Sequence, residues 1–489
     1  MNLDQILLPF FDLLNLHTVL YAAGAMFLGI LFGAMPGLTA ALGVALLTGM
    51  TFSVSTGETL VILLNIYVGA IYGGSLSAIL TNIPGTGAAI ATSWEGYPLA
   101  QQGQAGLAIG TAATASFIGT LIGLAALTLA APLLSKIALK ISSPEIALLA
   151  LLGVLLVGSL QTPDTALKGW LAGFAGLLLS TVGLDDINSF PRFTFGSPHL
   201  LGGISFIPAM IGLFGIAQIL DSLRGNIDPK PQRFTRVVPN LRTLLSYLPA
   251  TFRSALVGVG IGVTPGIGEN IASIVSYTIS QKLSKEKGQY GRGSYEGIIA
   301  AETANNACVP AATVPLLTLG IPGSPVTAIM LGALLLHGVR PGPLLLAEQP
   351  RFLWDFVAIF LLAAVLLYGQ ALLLARPVSK ILEIKPTFLL PIVSTLCVIG
   401  TYALNLSHFD VYLMVFFGLL GFVMRVTGYP AAPMVLGLIL GPYLEINLRR
   451  TWLISEGSFA PFVTRPVSLL LLIVITWLVF RQAGLFRRN

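Results

Sequence analysis

Charge is scarce in this chain: Asp, Glu, Lys and Arg supply 9% of its 489 residues, where a soluble globular domain carries about 25%. With 55% hydrophobic residues and a mean hydropathy of +0.87, that shortage excludes an ordinary water-soluble fold. Cysteine is scarce too. Cys308 and Cys397 both lie in apolar surroundings and read as buried small hydrophobes, not as a disulfide scaffold. His17, His199, His337 and His408 are far apart and show no metal-ligand spacing. No GxxxxGK(S/T) phosphate loop and no HExxH occur, so the chain carries neither its own ATPase motif nor a metalloprotease signature. Asp4 and Asp12 stand where a signal peptide would be basic, so no cleavable leader is expected.

Long apolar segments take the place of charge. About 20 apolar residues suffice for one helical crossing, and the chain has room for many. Its 53 glycines and 30 prolines fit that reading, because both are commoner in membrane helices than in soluble ones. A membrane β-barrel would need strands of roughly ten residues alternating apolar and polar. Runs such as SLLLLIVITWLVF, Ser468 to Phe480, are instead apolar on every face. The net charge of +6 is scattered over short loops, which reads as a topology signal and not as a nucleic-acid surface. Trp94, Trp170, Trp354, Trp452 and Trp477 fall mainly near the expected span ends, as interfacial anchors do.

The chain punctuates itself twice in the same order. GAMPGLTAALG and LTNIPGTGAAI in the first half answer to GVTPGIGENIA and LTLGIPGSPVTAI in the second. Pro36-Gly37 recurs as Pro265-Gly266, and Pro84-Gly85 recurs at a slightly longer offset as Pro322-Gly323. The extra residues fall in the polar insert KLSKEKGQYGRGS. Matched interruptions in two halves are the sequence pointer to a secondary-transporter binding site.

Orientation follows from basic residues. None precedes Lys136, whereas six lie between Arg224 and Arg253 and four between Lys282 and Arg292. If both clusters are cytoplasmic, the segment between them, centred on Pro265-Gly266, enters and leaves on one side as a re-entrant hairpin. The counterpart, roughly Thr18 to Gly49, lacks basic flanks and is expected to open outward. The fold expected is an all-α polytopic membrane protein of about eleven spans. It has two re-entrant hairpins and two inverted-topology repeats whose helices break at Pro-Gly. Residues 1–223 form the first repeat with its following helices, 224–253 a basic cytoplasmic connector, and 254–489 the second repeat with C-terminal helices. This assignment puts 18 of the 26 basic residues inside and 8 outside, Arg449 and Arg450 among the latter.

Pro-Gly at membrane depth frees backbone groups, which are tolerated only when buried in protein or lining a wet cavity. A half-helix beginning after each break aims its N–H groups and positive dipole end at that cavity. Four such starts, near Leu38, Thr86, Ile267 and Ser324, form an anion site without Lys or Arg if they converge. Packing kinks are the alternative reading. The expected substrate-binding positions are Pro36, Gly37, Thr39, Asn82, Pro84, Gly85, Thr86, Gly87, Pro265, Gly266, Pro322, Gly323 and Ser324, with Arg340 in GVRPGP as a rival anion ligand. A carboxylate at membrane depth is costly and points to function. Glu302, Asn305 and Asn306 share one helical face and are expected to contribute to ion coupling. Asn65, Glu269 and Asn270 are further candidates, although Glu269-Asn270 equally suits a helix cap and buried asparagines also serve as interhelix hydrogen-bonders.

At the Pro-Gly pairs the chain resembles the large membrane subunit of the tripartite tricarboxylate transporters. The resemblance rests on PGLTAALGVALLTGMTF, YGGSLSAILTNIPGTGAAIATSWEGYPLAQQG, TPGIGENIASIVSY, AAETANNACVPAATVPLLTLGIPGSPVTAIMLGAL and GVRPGP, from about Leu28 to Gly342. It implies a multi-pass protein of the bacterial inner membrane. It also implies a periplasmic solute-binding protein that delivers the substrate, a small four-helix membrane partner, and secondary uptake of carboxylates driven by sodium or protons. No other cofactor or metal, no enzymatic step and no nucleic-acid partner is implied; lipid is the surrounding medium. One departure is that the family often has lysine where Gln101 or Gln104 stands, which leaves that loop's cytoplasmic placement without charge support. A carrier or channel independent of a binding protein is the alternative function, and an intramembrane enzyme is the different-class alternative.

Overall fold

The computed structural model describes residues 3–35, 38–138, 142–161, 166–185, 188–223, 237–239, 241–381 and 386–482. Pro36, Gly37 and residues 224–236 and 240 of the 224–253 connector therefore lie outside the described residues. The described chain is helical apart from one two-stranded antiparallel ribbon, Gly183–Leu184 with Pro191–Arg192. Six helical segments are long and apolar enough to cross a membrane, and shorter apolar helices lie between them. Leu129, Leu373, Phe416 and Ile473 are more than half exposed, which suits side chains that face lipid.

Polar contacts at the helix ends set the direction of each element. The first hairpin is Leu16–Ala34 returning as Ala40–Met50. His17 Nδ1 lies 3.6 Å from Glu58, and the Thr59 hydroxyl donates to the Thr51 carbonyl at 3.3 Å. Both ends of the hairpin thus meet the start of the next helix, Thr56–Thr81, on one face. Ser55 and Glu58 close a capping box there, which satisfies two donors that the helix start leaves unpaired. After Asn82–Thr86 the chain continues as a short 3₁₀ turn and the helix Ile90–Leu99. Its far end carries Glu95, which accepts N–H bonds from Gly291, Gly293 and Ser294 at 2.6, 3.1 and 2.8 Å. The first broken helix therefore runs from the Glu58 face to the face of the Lys282–Arg292 loop.

The second hairpin, Leu248–Val263 and Gly268–Leu283, opens on that basic face. Arg253 donates to Ser280 at 2.6 Å and pairs with Glu296 at 3.3 Å, and Tyr247 donates to Glu286 at 3.1 Å. The second broken helix, Tyr295–Ala311, Thr313–Leu319 and Pro325–Leu336, then crosses the other way. Its end, His337, meets Thr59 with Nε2 and Oγ1 3.2 Å apart. The two repeats are inverted, as the basic clusters predict. The loop containing Gln101 and Gln104 also lies on the basic face: Gln102 donates to the Arg292 carbonyl at 2.9 Å, and Tyr295 donates to Gln104 at 2.6 Å.

Equivalent packing recurs at the repeat offsets. A Cβ on Gly29 would stand 2.6 Å from the Ile66 carbonyl oxygen, and one on Gly33 would stand 2.0 Å from that of Ala70. The step that carries Pro36 to Pro265 takes these glycines to Gly258 and Gly262, and the step from Pro84 to Pro322 takes their partners to Ala304 and Cys308. There the same two approaches measure 2.2 and 2.8 Å. Each hairpin thus packs one of its helices backbone-to-backbone on its own broken helix, which only small residues permit. Asn82 and Gly320 are related by the Pro84-to-Pro322 step as well. Both end a half-helix in the left-handed region, with φ of 59° and 71°, a conformation open to Asn and Gly.

The remaining crossings surround these repeats. Ala105–Ala138 and Arg351–Ile381 pack directly on the broken helices. An outer set interlocks across the halves. Ala431–Ile454 packs on Ser143–Gln161 and Ala166–Leu179, while His408–Val426 packs on the segment Phe206–Ser222, whose middle, Ile211–Ile216, is π-helical. With Pro386–Asn405 and Pro466–Gln482, the described residues trace about eleven crossings plus the two hairpins. On the face opposite the basic loops, Arg449 pairs with Asp185 at 2.7 Å and Glu445 at 2.9 Å, and Arg192 pairs with Glu445 at 2.6 Å. These arginines on the sparsely charged face are neutralised locally.

Candidate functional site

The breaks meet. Thr39, Thr86, Gly87, Glu269, Asn270 and Pro325, each next to a different break or sharing one, line a single cavity of about 400 Å³. Its other wall comes from the outer set: Leu213 and Phe214 of the π-helical segment, with Arg425 and Tyr429 at the turn between His408–Val426 and Ala431–Ile454. A π-helical stretch is a locally strained form often found at functional sites. A larger cavity of about 640 Å³ lies on the opposite face around His17, Glu58 and His337. Among the described residues, none of the substrate or ion-coupling positions expected from the sequence lines it.

The four half-helix starts are not equivalent. Thr39 caps Ala40–Met50 by accepting from Leu42 N–H at 3.1 Å. Ser324 and Thr327 form a reciprocal capping box on Pro325–Leu336. The starts at Gly87 and Gly268 take no cap from the preceding side chain; at the second, the Glu269 carboxylate accepts from its own N–H, and the other leading N–H groups remain available to a ligand. Gly266 and Gly268, at φ of 81° and 72°, let the second hairpin turn sharply enough to reach the cavity. Gly266 N–H donates to the Pro322 carbonyl at 3.1 Å, tying this tip to the second break. The Pro265 ring is half-buried beside it.

Glu269 is 3% exposed and receives the Tyr67 hydroxyl hydrogen at 3.1 Å. Tyr67 Oη and Ser324 Oγ are 2.9 Å apart, so with Tyr67 donating to Glu269, Ser324 donates to Tyr67. Asn270 is exposed into the cavity. It lies against Gly87, where an added Cβ would come within 2.8 Å of its amide carbon. Thr86 lines the cavity, but its hydroxyl lies against Gly74. Pro84, Gly85, Pro322 and Gly323 shape the breaks through backbone. A Cβ on Gly85 would stand 1.8 Å from the Gly33 carbonyl oxygen, and one on Gly323 2.8 Å from that of Gly262. Asn82 is an exposed cap outside the cavity lining, and Arg340 is exposed and also outside it.

Glu302, Asn305 and Asn306 form a second centre, fully buried and separate from the cavity lining. Thr92 and Ser116 donate to the two Glu302 carboxylate oxygens at 2.5 and 3.1 Å, and Asn306 donates to Ser116 at 2.9 Å. The centre joins the first broken helix, through Thr92, to the second, through Glu302. Asn65 lies inside the first broken helix, donating to the Val61 carbonyl at 2.8 Å. Its carbonyl oxygen, like that of Asn306, has no partner among the described residues. Sequence reasoning missed Tyr67 and Arg425. Tyr67 sits in a largely apolar run in which Asn65 is the conspicuous polar residue, and Arg425 reads as one more basic residue at a span end.

Relatives match this organisation along most of its length. An uncharacterized 52.8 kDa protein of the TAR-I ttuC' 3' region in Agrobacterium vitis is 38% identical over 91% of this chain and 89% of the relative. An uncharacterized protein of the TAR-II ttuC' 3' region in the same organism is 41% identical over 43% of this chain and 88% of the relative. No solved structure matches. The model of the tripartite tricarboxylate transporter TctA family matches residues 19–436, and the chain belongs to that family, as the large subunit of a tripartite transporter.

Proposed function

We propose that this subunit carries a di- or tricarboxylate through the cavity at the four breaks, driven by a sodium or proton gradient. The observation that carries the reading is the convergence of breaks from two oppositely oriented repeats on one cavity. Inverted repeats that share a central site suit alternating access. Uncapped starts at Gly87 and Gly268 offer N–H donors and positive dipole ends to a carboxylate, and Asn270 adds a side-chain amide beside them. Glu269 in the cavity wall and Glu302 behind it are the groups suited to a coupling cation or proton, because a buried carboxylate needs a compensating positive charge.

In this reading the basic face is cytoplasmic, the membrane is the bacterial inner membrane, and a periplasmic binding protein and a small membrane subunit complete the transporter. Uptake in proteoliposomes containing all three components tests it, with sodium and pH gradients imposed separately. Carboxylate accumulation against its gradient is expected under one gradient or both. Downhill flux without accumulation or counterflow exchange would instead identify a channel.

A further inference from the structure

Arg425 is the one Lys or Arg among the described residues lining the four-break cavity. It projects from the end of His408–Val426, on the wall contributed by the outer helices. Its described polar partner is Asp221, with Nη1 and Oδ2 3.2 Å apart. Both side chains are about one-third exposed, at 38% and 35%, and such a pair is weak. One contact leaves most of the guanidinium's five donors uncommitted, and its planar fork matches a carboxylate better than any other cation does.

The surroundings hold this guanidinium ready. Lys168, the nearby second cation, donates to the Thr427 carbonyl at 2.6 Å and lies 5.3 Å from the centre of the Tyr429 ring. Lys168 therefore fixes the turn that follows Arg425 and does not enter the cavity lining. Glu269, facing the same space from the repeat side, would repel an anion unless a positive group stood opposite. The uncapped starts at Gly87 and Gly268 lie on that repeat side as well.

We infer that Arg425 is a specificity-determining residue that exchanges Asp221 for one carboxylate of the substrate, while the half-helix starts hold another. This deepens the carboxylate reading above and rests on it. A substrate spanning the two walls needs two carboxylates, so Arg425 selects di- and tricarboxylates over monocarboxylates. Asp221 stays beside the cavity and recaptures the guanidinium as the substrate leaves.

The test uses the full chain purified with its small membrane partner and without the binding protein, and measures equilibrium binding of labelled succinate and citrate, with acetate as competitor. R425Q is expected to weaken succinate and citrate binding tenfold or more while leaving the acetate competition constant unchanged. R425K, which keeps charge without the fork, should fall between. D221N should bind at least as tightly as wild type, because the competing carboxylate is gone. Equal losses in R425Q and D221N would make the pair a helix staple and overturn the inference, as would wild-type binding in R425Q. If wild type binds none of the three probes, the carboxylate reading itself fails and this inference falls with it. Binding of succinate with an unaffected R425Q overturns the inference alone.

Discussion

Tyr67 and Glu269, 202 residues apart in sequence, meet at 3.1 Å where the first broken helix touches the tip of the second hairpin. The contact links the repeats at the cavity wall and orients Glu269, the one carboxylate among the described residues lining the cavity. A hydrogen bond to a charged group is worth about 1.5–3 kcal/mol. Tyr67→Phe removes it and leaves the ring packing in place. Under the proposed coupling role for Glu269, the half-saturating concentration of the coupling ion should shift about tenfold with little change in protein abundance. An unchanged ion dependence in reconstituted uptake would reduce Tyr67 to a packing residue.

The backbone contacts of the hairpins give a prediction about stability. In the helix Leu248–Val263, Gly262 has the Cys308 carbonyl oxygen 2.8 Å from where a Cβ would stand, whereas Gly260 has nothing within 4 Å among the described residues. Overpacking a tight contact costs about 1–3 kcal/mol, while Gly to Ala on an open helix face gains up to about 1 kcal/mol in helix propensity. Gly262→Ala should therefore lower the melting temperature of the detergent-solubilised protein, and Gly260→Ala should hold or raise it. Equal effects at the two positions would remove the close approach as an explanation for the glycine spacing that the two repeats share.

Much of this architecture was legible because membrane helices obey few rules. Long apolar runs, paired Pro-Gly breaks and clustered Lys and Arg are local signals, and the two repeat offsets predict which glycine meets which carbonyl in the second repeat. The grouping of Glu302 with Asn305 and Asn306 was likewise readable from helical spacing, although its partners Thr92 and Ser116 were not. Those lie on other helices, and a hydroxyl in an Ala- and Gly-rich run gives no sign of what it faces. The outer wall of the cavity was illegible for the same reason. Leu213, Phe214, Arg425 and Tyr429 reach the site only through packing between halves of the chain. Asn82, a polar residue at a break and so expected at the binding site, ends its half-helix in the left-handed region and lies outside the cavity lining.

Glu302 receives hydroxyl hydrogens from two helices and no cation contact among the described residues. Glu302→Gln preserves shape and removes the charge that a coupling ion would neutralise. Uptake should persist weakly, with its dependence on sodium or on pH flattened. Normal rates with unchanged dependence on both gradients would assign the Glu302 centre to helix packing.

Asn270 and Ser324 separate ligand binding from capping at the cavity itself. Ser324 closes a capping box with Thr327, and losing an N-cap costs about 0.5–2 kcal/mol, so Ser324→Ala should reduce thermal stability before it changes affinity. Asn270 is exposed into the cavity, against the uncapped turn at Gly87, and its removal leaves no helix end unsatisfied. Asn270→Ala is thus expected to weaken carboxylate binding about tenfold, the equivalent of one hydrogen bond to a charged group, while the melting temperature stays at the wild-type value. Replacing Gly87 by Leu would drive a side chain into Asn270 and the cavity together, and should abolish binding in a protein that still assembles with its partners. Isothermal binding and thermal melts on the same preparations distinguish these cases. Should Asn270→Ala bind normally while Ser324→Ala loses affinity without losing stability, the carboxylate sits at the second break, against the capped helix start, and the uncapped turn at Gly87 has no part in holding it.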